Sequence, residues 1–335
     1  MEKVRIGIVG VGWIAQVIHL PILMKLPEAE VVAVCDKDKA RVRLVGEKFG
    51  IQRQFTDLNQ MLALDGLDAV IVCTSTNAHQ EVAVAALRAG KDVLVEKPIA
   101  RTYTEAVAIA NAAKESKQKL MVGMNHRFRP DTMIMKSFIE GKELGKIYYA
   151  RVGWLRKYNL DHAWLTQKEK SGGGAFIDLG IVMLDMALWM LGYPQVVRLN
   201  AANYHQRTKQ VEDTSLVNLV LNTGATVNIE VSWSMCLDDD VYYCYLHGLD
   251  GSASLSPLKI NKELHGNLVN LAPAKLDSPH QIFKRSYENE LKHFLGAVKG
   301  LHPVISTGDE AVQRMKIVEA VYRSAKKGKE VAVTP

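Results

Sequence analysis

Apolar and polar positions follow two alternating periods through the N-terminal third of the chain. Short runs rich in β-branched residues fall at 4–9, 31–35, 69–73, 92–95 and 120–122. Between them, at 14–25, 40–49, 79–89 and 104–117, apolar residues recur at helical spacing. Strands without polar alternation are buried on both faces, and intervening helices impose parallel pairing. The pattern predicts an α/β unit built on a doubly wound parallel sheet.

The pattern then changes. A helix is expected over 130–140 and a long strand over 146–157, and Gly172–Gly174 opens an apolar helix that runs to about 191. Strands follow at 196–204, 214–221, 226–233 and 241–247 with no helices between them, and Thr223-Gly224 marks a hairpin. Consecutive strands without crossovers imply an open, mostly antiparallel sheet, hence an α+β arrangement. Residues 256–280 show weak periodicity and are expected as a long loop; helices at about 285–299 and 308–327 close the chain. The expected domains are 1–123 and 124–335, with the C-terminal helix able to return to the first.

Composition narrows the classes. The chain has 335 residues, 48% hydrophobic and 23% charged, enough for two folded domains. Its formal net charge is +6, densest at Lys326, Lys327 and Lys329. No aromatic strip or nucleic-acid motif accompanies that run, so no nucleic-acid partner is expected. A mildly basic surface favours an anionic cofactor or substrate. Cys35, Cys73, Cys236 and Cys244 form no CxxC pair and read as reduced thiols of a cytoplasmic protein. No leader is expected, and no apolar run approaches the ~20 residues of a membrane span. No metal site is expected.

The sharpest local motif follows the first strand: Gly10, Gly12 and Ala15 in a GxGxxA turn, with Trp13 and Ile14 between the last two. Gly10 permits the tight turn, Gly12 lets backbone approach a pyrophosphate, and Ala15 allows close helix–strand packing. The helix start then presents free N–H groups to the phosphates. Asp36 ends the second strand, where a carboxylate accepts hydrogen bonds from ribose hydroxyls and repels a 2′-phosphate. This makes the first domain a Rossmann sheet that takes NAD in preference to NADP, although Lys37 beside Asp36 softens the choice.

Two further strand ends lie at the carboxyl edge, where open α/β sheets bind ligands. One carries Thr74, Ser75, Asn77 and His79; the other carries Glu96-Lys97-Pro98. A lysine beside a cationic nicotinamide would have a lowered pKa and suit general acid–base work on a hydroxyl proton.

The glycine turn, Asp36, Thr74–His79 and Glu96-Lys97-Pro98 together resemble the Gfo/Idh/MocA oxidoreductases, relatives of glucose–fructose oxidoreductase and inositol 2-dehydrogenase. The resemblance extends through Gly123–Phe128, through Gly172-Gly-Gly-Ala-Phe-Ile-Asp178-Leu-Gly180 and through Tyr287–Phe294. It implies a nicotinamide cofactor, no metal, sugar or polyol substrates, and a homodimer or homotetramer paired through the open sheet. Runs such as 217–221 and 227–233 are expected to give that sheet an apolar face needing cover. The resemblance also implies that Lys97 moves the proton and that Asp178 contacts the reacting hydroxyl. One position departs: the family helix commonly reads D-x-G-x-H-x-x-D, and here Val182 replaces the histidine. The proton path must then use Lys97 with Asp178, or a group from the aromatic, polar segment carrying Tyr158 and His162. Asn125 and Arg127 complete the candidate substrate contacts, His126 reads as structural, and Trp233 as sheet or interface packing. The alternatives are a hydrolase or epimerase that recycles bound NAD, and a non-catalytic NAD-binding sensor.

Overall fold

The computed structural model describes residues 2–157 and 164–333. They form two compact units. One spans Met1–Asn125 and Tyr287–Val312; the other spans His126–Ser286 and Gln313–Pro335. The first unit is thus discontinuous in sequence.

Its six strands are β1 (Val4–Val9), β2 (Ala29–Cys35), β3 (Arg53–Phe55), β4 (Ala69–Val72), β5 (Asp92–Val95) and β6 (Leu120–Val122). They pair parallel in the order β3-β2-β1-β4-β5-β6. Every residue of β4 and β5 is buried, which is why these strands carry no polar alternation. The edge strand β3 is short and largely exposed, so it left no apolar run to read. Strand order reverses between β1 and β4, and this is the switch point where such sheets open a ligand crevice beyond their carboxyl ends.

The second unit holds β7 (Ile147–Lys157), β8 (Val196–Tyr204), β9 (Thr214–Leu221), β10 (Thr226–Met235), β11 (Val241–Gly248), β12 (Gly251–Leu255), β13 (Lys259–Leu264), β14 (Asn267–Asn270) and β15 (Val331–Ala332). Their order is β14-β13-β12-β11-β7-β10-β9-β8-β15; β7 and β10 pair parallel and every other neighbour antiparallel. Fold class thus matches the expectation: a parallel Rossmann sheet and a separate, mostly antiparallel sheet. The segment 256–280 does not. It contains the β13–β14 hairpin, whose residues are mostly exposed on both faces, so no buried face wrote a period into the sequence.

The apolar runs of β9 and β10 also point elsewhere than expected. Val217, Leu219, Leu221, Val227, Ile229 and Val231 alternate onto the inner face and are buried there, where the helix Ile181–Met190 packs against β7 and β10. The opposite face is aromatic and polar: Tyr149 stacks on His247, and Arg151 pairs with Glu230 and lies over Tyr243. A further correction concerns Lys168–Met190, which has the length and apolar composition to cross a membrane. In its most apolar window 89% is buried inside the protein, as in a core helix. All four cysteines are free, and three of them are buried.

The second unit's interior contains a charged centre around Asp185. Arg127 donates to both oxygens of Asp185 at 2.8 and 2.6 Å; Arg314 and the Tyr193 hydroxyl donate to Oδ1 at 2.5 and 2.6 Å. None of the three charged side chains exceeds 2% exposure. Burial alone would raise the Asp185 pKa, but the two guanidinium groups outweigh it and bring it down to about 2. Asp185→Asn should therefore cost about 3–5 kcal/mol, because it leaves buried guanidinium charge uncompensated. The folded-state value lies below the unfolded ~3.9. The contribution of Asp185 is then complete above about pH 4 and is lost as pH falls towards 2. Urea unfolding of wild type and variant across that window measures both effects.

Candidate active site

The glycine turn leaves β1 at the switch point. Gly10 has φ +86°, and a Cβ added there would lie 2.6 Å from the Thr74 backbone nitrogen. Glycine is required for this turn to close against the end of β4. Gly12 is different: an added Cβ would meet nothing within 4 Å. Its missing side chain therefore serves no packing within the chain and leaves open the space a pyrophosphate would use. Trp13 beside it is 59% exposed, and Ile14 is part-exposed at the start of the helical run 13–23. Next to Gly10, the Thr74 hydroxyl is buried and finds no hydrogen-bond partner among the described residues. An open cradle and an orphaned hydroxyl fit a bound dinucleotide.

Asp36 closes the other side of the turn. Its carboxylate accepts from the Val11 N–H at 2.9 Å and the Asp38 N–H at 3.0 Å, and Arg41 approaches it at 3.3 Å. Asp38 caps the helix Lys39–Phe49 by accepting from Ala40 and Arg41 N–H, which places Arg41 at this spot. Sequence reading weighed Lys37 here; the structure brings Arg41.

The ends of β4 and β5 divide the expected cofactor contacts into two groups. Ser75 and Asn77 are exposed, with the Ser75 hydroxyl donating to Asn77 Oδ1 at 2.7 Å. His79 is not available in this way. It is 1% exposed, and its ring nitrogens lie 2.9 Å from the Pro98 carbonyl and 3.0 Å from the Thr74 carbonyl. Burial holds its pKa below the ordinary value. It braces the two strand ends against each other instead of meeting a ligand.

Glu96 is also turned inward. Its carboxylate lies 2.7 Å from His19 Nε2 and accepts the Lys97 N–H at 3.2 Å. Burial pushes its pKa up, but the His19 hydrogen bond and charge, with the Lys97 charge, outweigh that and bring it below the usual value. Nearby Glu290 is fully buried, and burial followed by the Glu96 charge raises its pKa well above the usual range. Burial acts on both carboxyls, and the His19 and Lys97 partners are what separate Glu96 from Glu290. Glu96 thus fixes the backbone of Lys97, whose side chain is half-buried at the carboxyl end of β5.

In the second unit, Asp178 lies on the π-helical turn Phe176–Gly180, and its Oδ2 accepts from the Trp233 indole N–H at 3.0 Å. The turn itself is held by Glu212, whose carboxylate accepts from the Gly174 and Phe176 N–H groups at 3.1 and 2.9 Å. Val182 is 3% exposed in the apolar interior. Arg127, expected among the substrate contacts, is instead buried in the Asp185 centre, so its charge is already committed. Asn125 is part-exposed on the 3-10 turn Asn125–Phe128. Tyr158 and His162 lie outside the described residues. Sequence reading missed His19, Arg41 and Glu212, and took Trp233 for packing; each acts on residues its own motif does not contain.

Comparison with known proteins agrees with this geometry. Residues 4–124 match the NAD-binding Rossmann-fold domain of the GFO_IDH_MocA oxidoreductase family, and residues 136–333 match its C-terminal alpha/beta domain. The chain belongs to the Gfo/Idh/MocA oxidoreductase family. Its relatives include D-glucoside 3-dehydrogenase of Escherichia coli K12, 28% identical over 98% of this chain and 97% of that one. Another is scyllo-inositol 2-dehydrogenase (NAD(+)) of Bacillus subtilis 168, 27% identical over 98% of this chain and 96% of that one. Among solved structures, GenD2 from gentamicin A biosynthesis in complex with NAD superposes with a TM-score of 0.87. It is 27% identical and covers 100% of this chain and 97% of its own.

The two glycines of the turn should respond differently to a methyl group. Gly10→Ala meets both a left-handed φ, which costs about 1–2 kcal/mol, and a backbone clash, so it should lower the melting temperature. Gly12→Ala should leave melting unchanged yet weaken NAD binding by about 10-fold or more, equivalent to ~1.4 kcal/mol. Calorimetric NAD titration and thermal melts of both variants separate the two roles.

Proposed function

We propose that this protein is an NAD-dependent dehydrogenase that interconverts a hydroxyl and a carbonyl on a sugar or polyol. The observation that carries the reading is the placement of Lys97. It stands at the carboxyl end of β5, with its backbone pinned by Glu96, which His19 holds in turn. The named activities of the relatives, on a D-glucoside and on scyllo-inositol, support the substrate class.

When bound, NAD supplies the hydride acceptor for the carbon that loses its C–H bond. The chain's residues handle the rest. Lys97 Nζ takes the hydroxyl proton in oxidation and returns it in reduction. Asp178 accepts a hydrogen bond from the reacting hydroxyl and orients it. Asp36 faces the adenosine ribose and repels a 2′-phosphate, so NAD is preferred. Ser75 and Asn77, exposed at the end of β4, contact the cofactor.

A second reading draws on Val182. Its apolar side chain leaves no titratable group at that position of the helix, which suits a hydrolase or epimerase that recycles tightly held NAD. NAD that copurifies and does not exchange would favour it.

A screen of NAD reduction at 340 nm across sugars, inositols and sugar acids tests the main reading; complete inactivity with NAD and all of these substrates rejects it. On the substrate found, Lys97→Ala should lower turnover roughly 10²–10⁴-fold, with NAD affinity little changed. The wild-type pH–rate profile should carry a limb that is missing from the variant. Near-normal turnover of Lys97→Ala would remove the assigned role. Separately, NAD should bind more tightly than NADP. Asp36→Ser should narrow the gap, because it removes the repelling carboxylate and leaves Arg41 as a partner for phosphate. Tighter binding of NADP to the unmodified protein would refute the preference.

A further inference from the structure

Trp233 is 3% exposed and sits in an apolar stretch of β10, so packing alone would account for its ring. Its indole N–H, however, is directed at a functional carboxylate, donating to Asp178 Oδ2 at 3.0 Å. The two residues are 55 positions apart, and the backbone on each side of the contact is fixed by two consecutive residues, Glu212 and Asp213.

On the Asp178 side, the Glu212 carboxylate accepts the Gly174 and Phe176 N–H groups at 3.1 and 2.9 Å, and its carbonyl accepts the Ala175 N–H at 2.8 Å. The Tyr322 hydroxyl donates to the same carboxylate at 2.9 Å. Asp178 N–H then bonds the Gly174 carbonyl at 3.2 Å. On the Trp233 side, the Asp213 carbonyl accepts the Trp233 N–H at 2.8 Å. Asp213 is anchored in turn, with Oδ2 accepting from the Arg207 and Thr208 N–H groups at 2.6 and 3.1 Å. The contacts form a closed circuit: Glu212 to the helix start, helix start to Asp178, Asp178 to Trp233, Trp233 to Asp213, and Asp213 by a peptide bond to Glu212.

The torsion that turns an aspartate carboxylate is soft and roughly two-fold. A backbone held in place therefore does not by itself fix where the oxygens point; a donor on one oxygen does. We propose that Trp233 is a positioning residue that sets the orientation of the Asp178 carboxylate through its indole N–H, with Glu212–Asp213 holding both partners at bonding distance. This rests on the reading of Asp178 as the group that orients the reacting hydroxyl. A hydrogen bond to a charged group matters here in proportion to its strength, so its loss should cost about 10- to 100-fold in turnover.

The test is a double-mutant cycle on the substrate found by the NAD-reduction screen, using Trp233→Phe and Asp178→Asn alone and together. Phenylalanine keeps an aromatic ring and removes the donor. Trp233→Phe should lower kcat by about 10- to 100-fold, with a smaller change in KM and unchanged NAD affinity by calorimetry. In the Asp178→Asn background the same substitution should add less than about 2-fold, because the group it acts through is already altered. Undiminished kcat in Trp233→Phe, with Asp178→Asn impaired, overturns this inference alone. Equal losses in both backgrounds also overturn it, since the effect would not pass through Asp178. A silent Asp178→Asn overturns the assigned role of Asp178 and this inference with it. If Trp233→Phe does not fold, the indole N–H signals of the five tryptophans in ¹⁵N spectra decide. Asp178→Asn should shift the Trp233 signal, assigned by substituting the other four; an unmoved signal refutes the contact.

Discussion

Glu212 is 2% exposed, with its carboxylate closed on the N–H groups of Gly174 and Phe176. Two carboxylates in the first unit do the same work. Asp36 takes the Val11 N–H of the glycine turn, and Glu96 takes the Lys97 N–H. The segments that carry the candidate chemistry lie where a strand or a short helix ends, so their N–H groups lack regular partners and need others. A charged acceptor makes such a bond shorter and stronger than a carbonyl would. It also fixes backbone conformation at the places where a loop would otherwise be free to move.

Burying a carboxylate for this purpose is costly, and the structure offsets the cost differently each time. Glu96 has His19 and the Lys97 charge, which together overcome burial and keep it ionised. Glu212 has neutral donors, among them the Gly174 and Phe176 amides and the Tyr322 hydroxyl; there burial prevails and its pKa is raised. Glu290 is pushed well above the usual carboxylate range by burial and then by the Glu96 charge.

What was legible in the sequence was local. Parallel strands buried on both faces leave uninterrupted apolar runs, so β1, β4, β5 and β6 could be read directly, as could the glycine turn and the hairpin between β9 and β10. Short, largely exposed strands leave no such record, which is why β3, β13 and β14 went unseen. The supporting residues were illegible for another reason. His19 meets Glu96 across 77 positions and Trp233 meets Asp178 across 55. No spacing rule connects residues so far apart; only the closed fold does. The same applies to Glu96 and His79. Their position at the carboxyl edge suggested cofactor contact, but their side chains turn inward and brace the strand ends and the Lys97 backbone.

Asp178 and Asp185 show how far partners outweigh position. They lie seven residues apart on one helical segment, in a stretch where the family commonly spaces two aspartates around a histidine. Asp185 is enclosed by Arg127, Arg314 and Tyr193, and its pKa is held at about 2, so it neither gives up nor accepts a proton near neutral pH. Asp178 instead accepts from the Trp233 indole on one oxygen and remains part-exposed. Between them Val182 offers no titratable atom and is sealed in the apolar interior. The helix thus commits Asp185 to the fold and leaves Asp178 part-exposed, the carboxylate proposed above to meet a substrate hydroxyl. On the dehydrogenase reading proposed above, the proton carrier comes from elsewhere in the chain, and Lys97, with its backbone held by the His19–Glu96 pair, is the residue we propose for it.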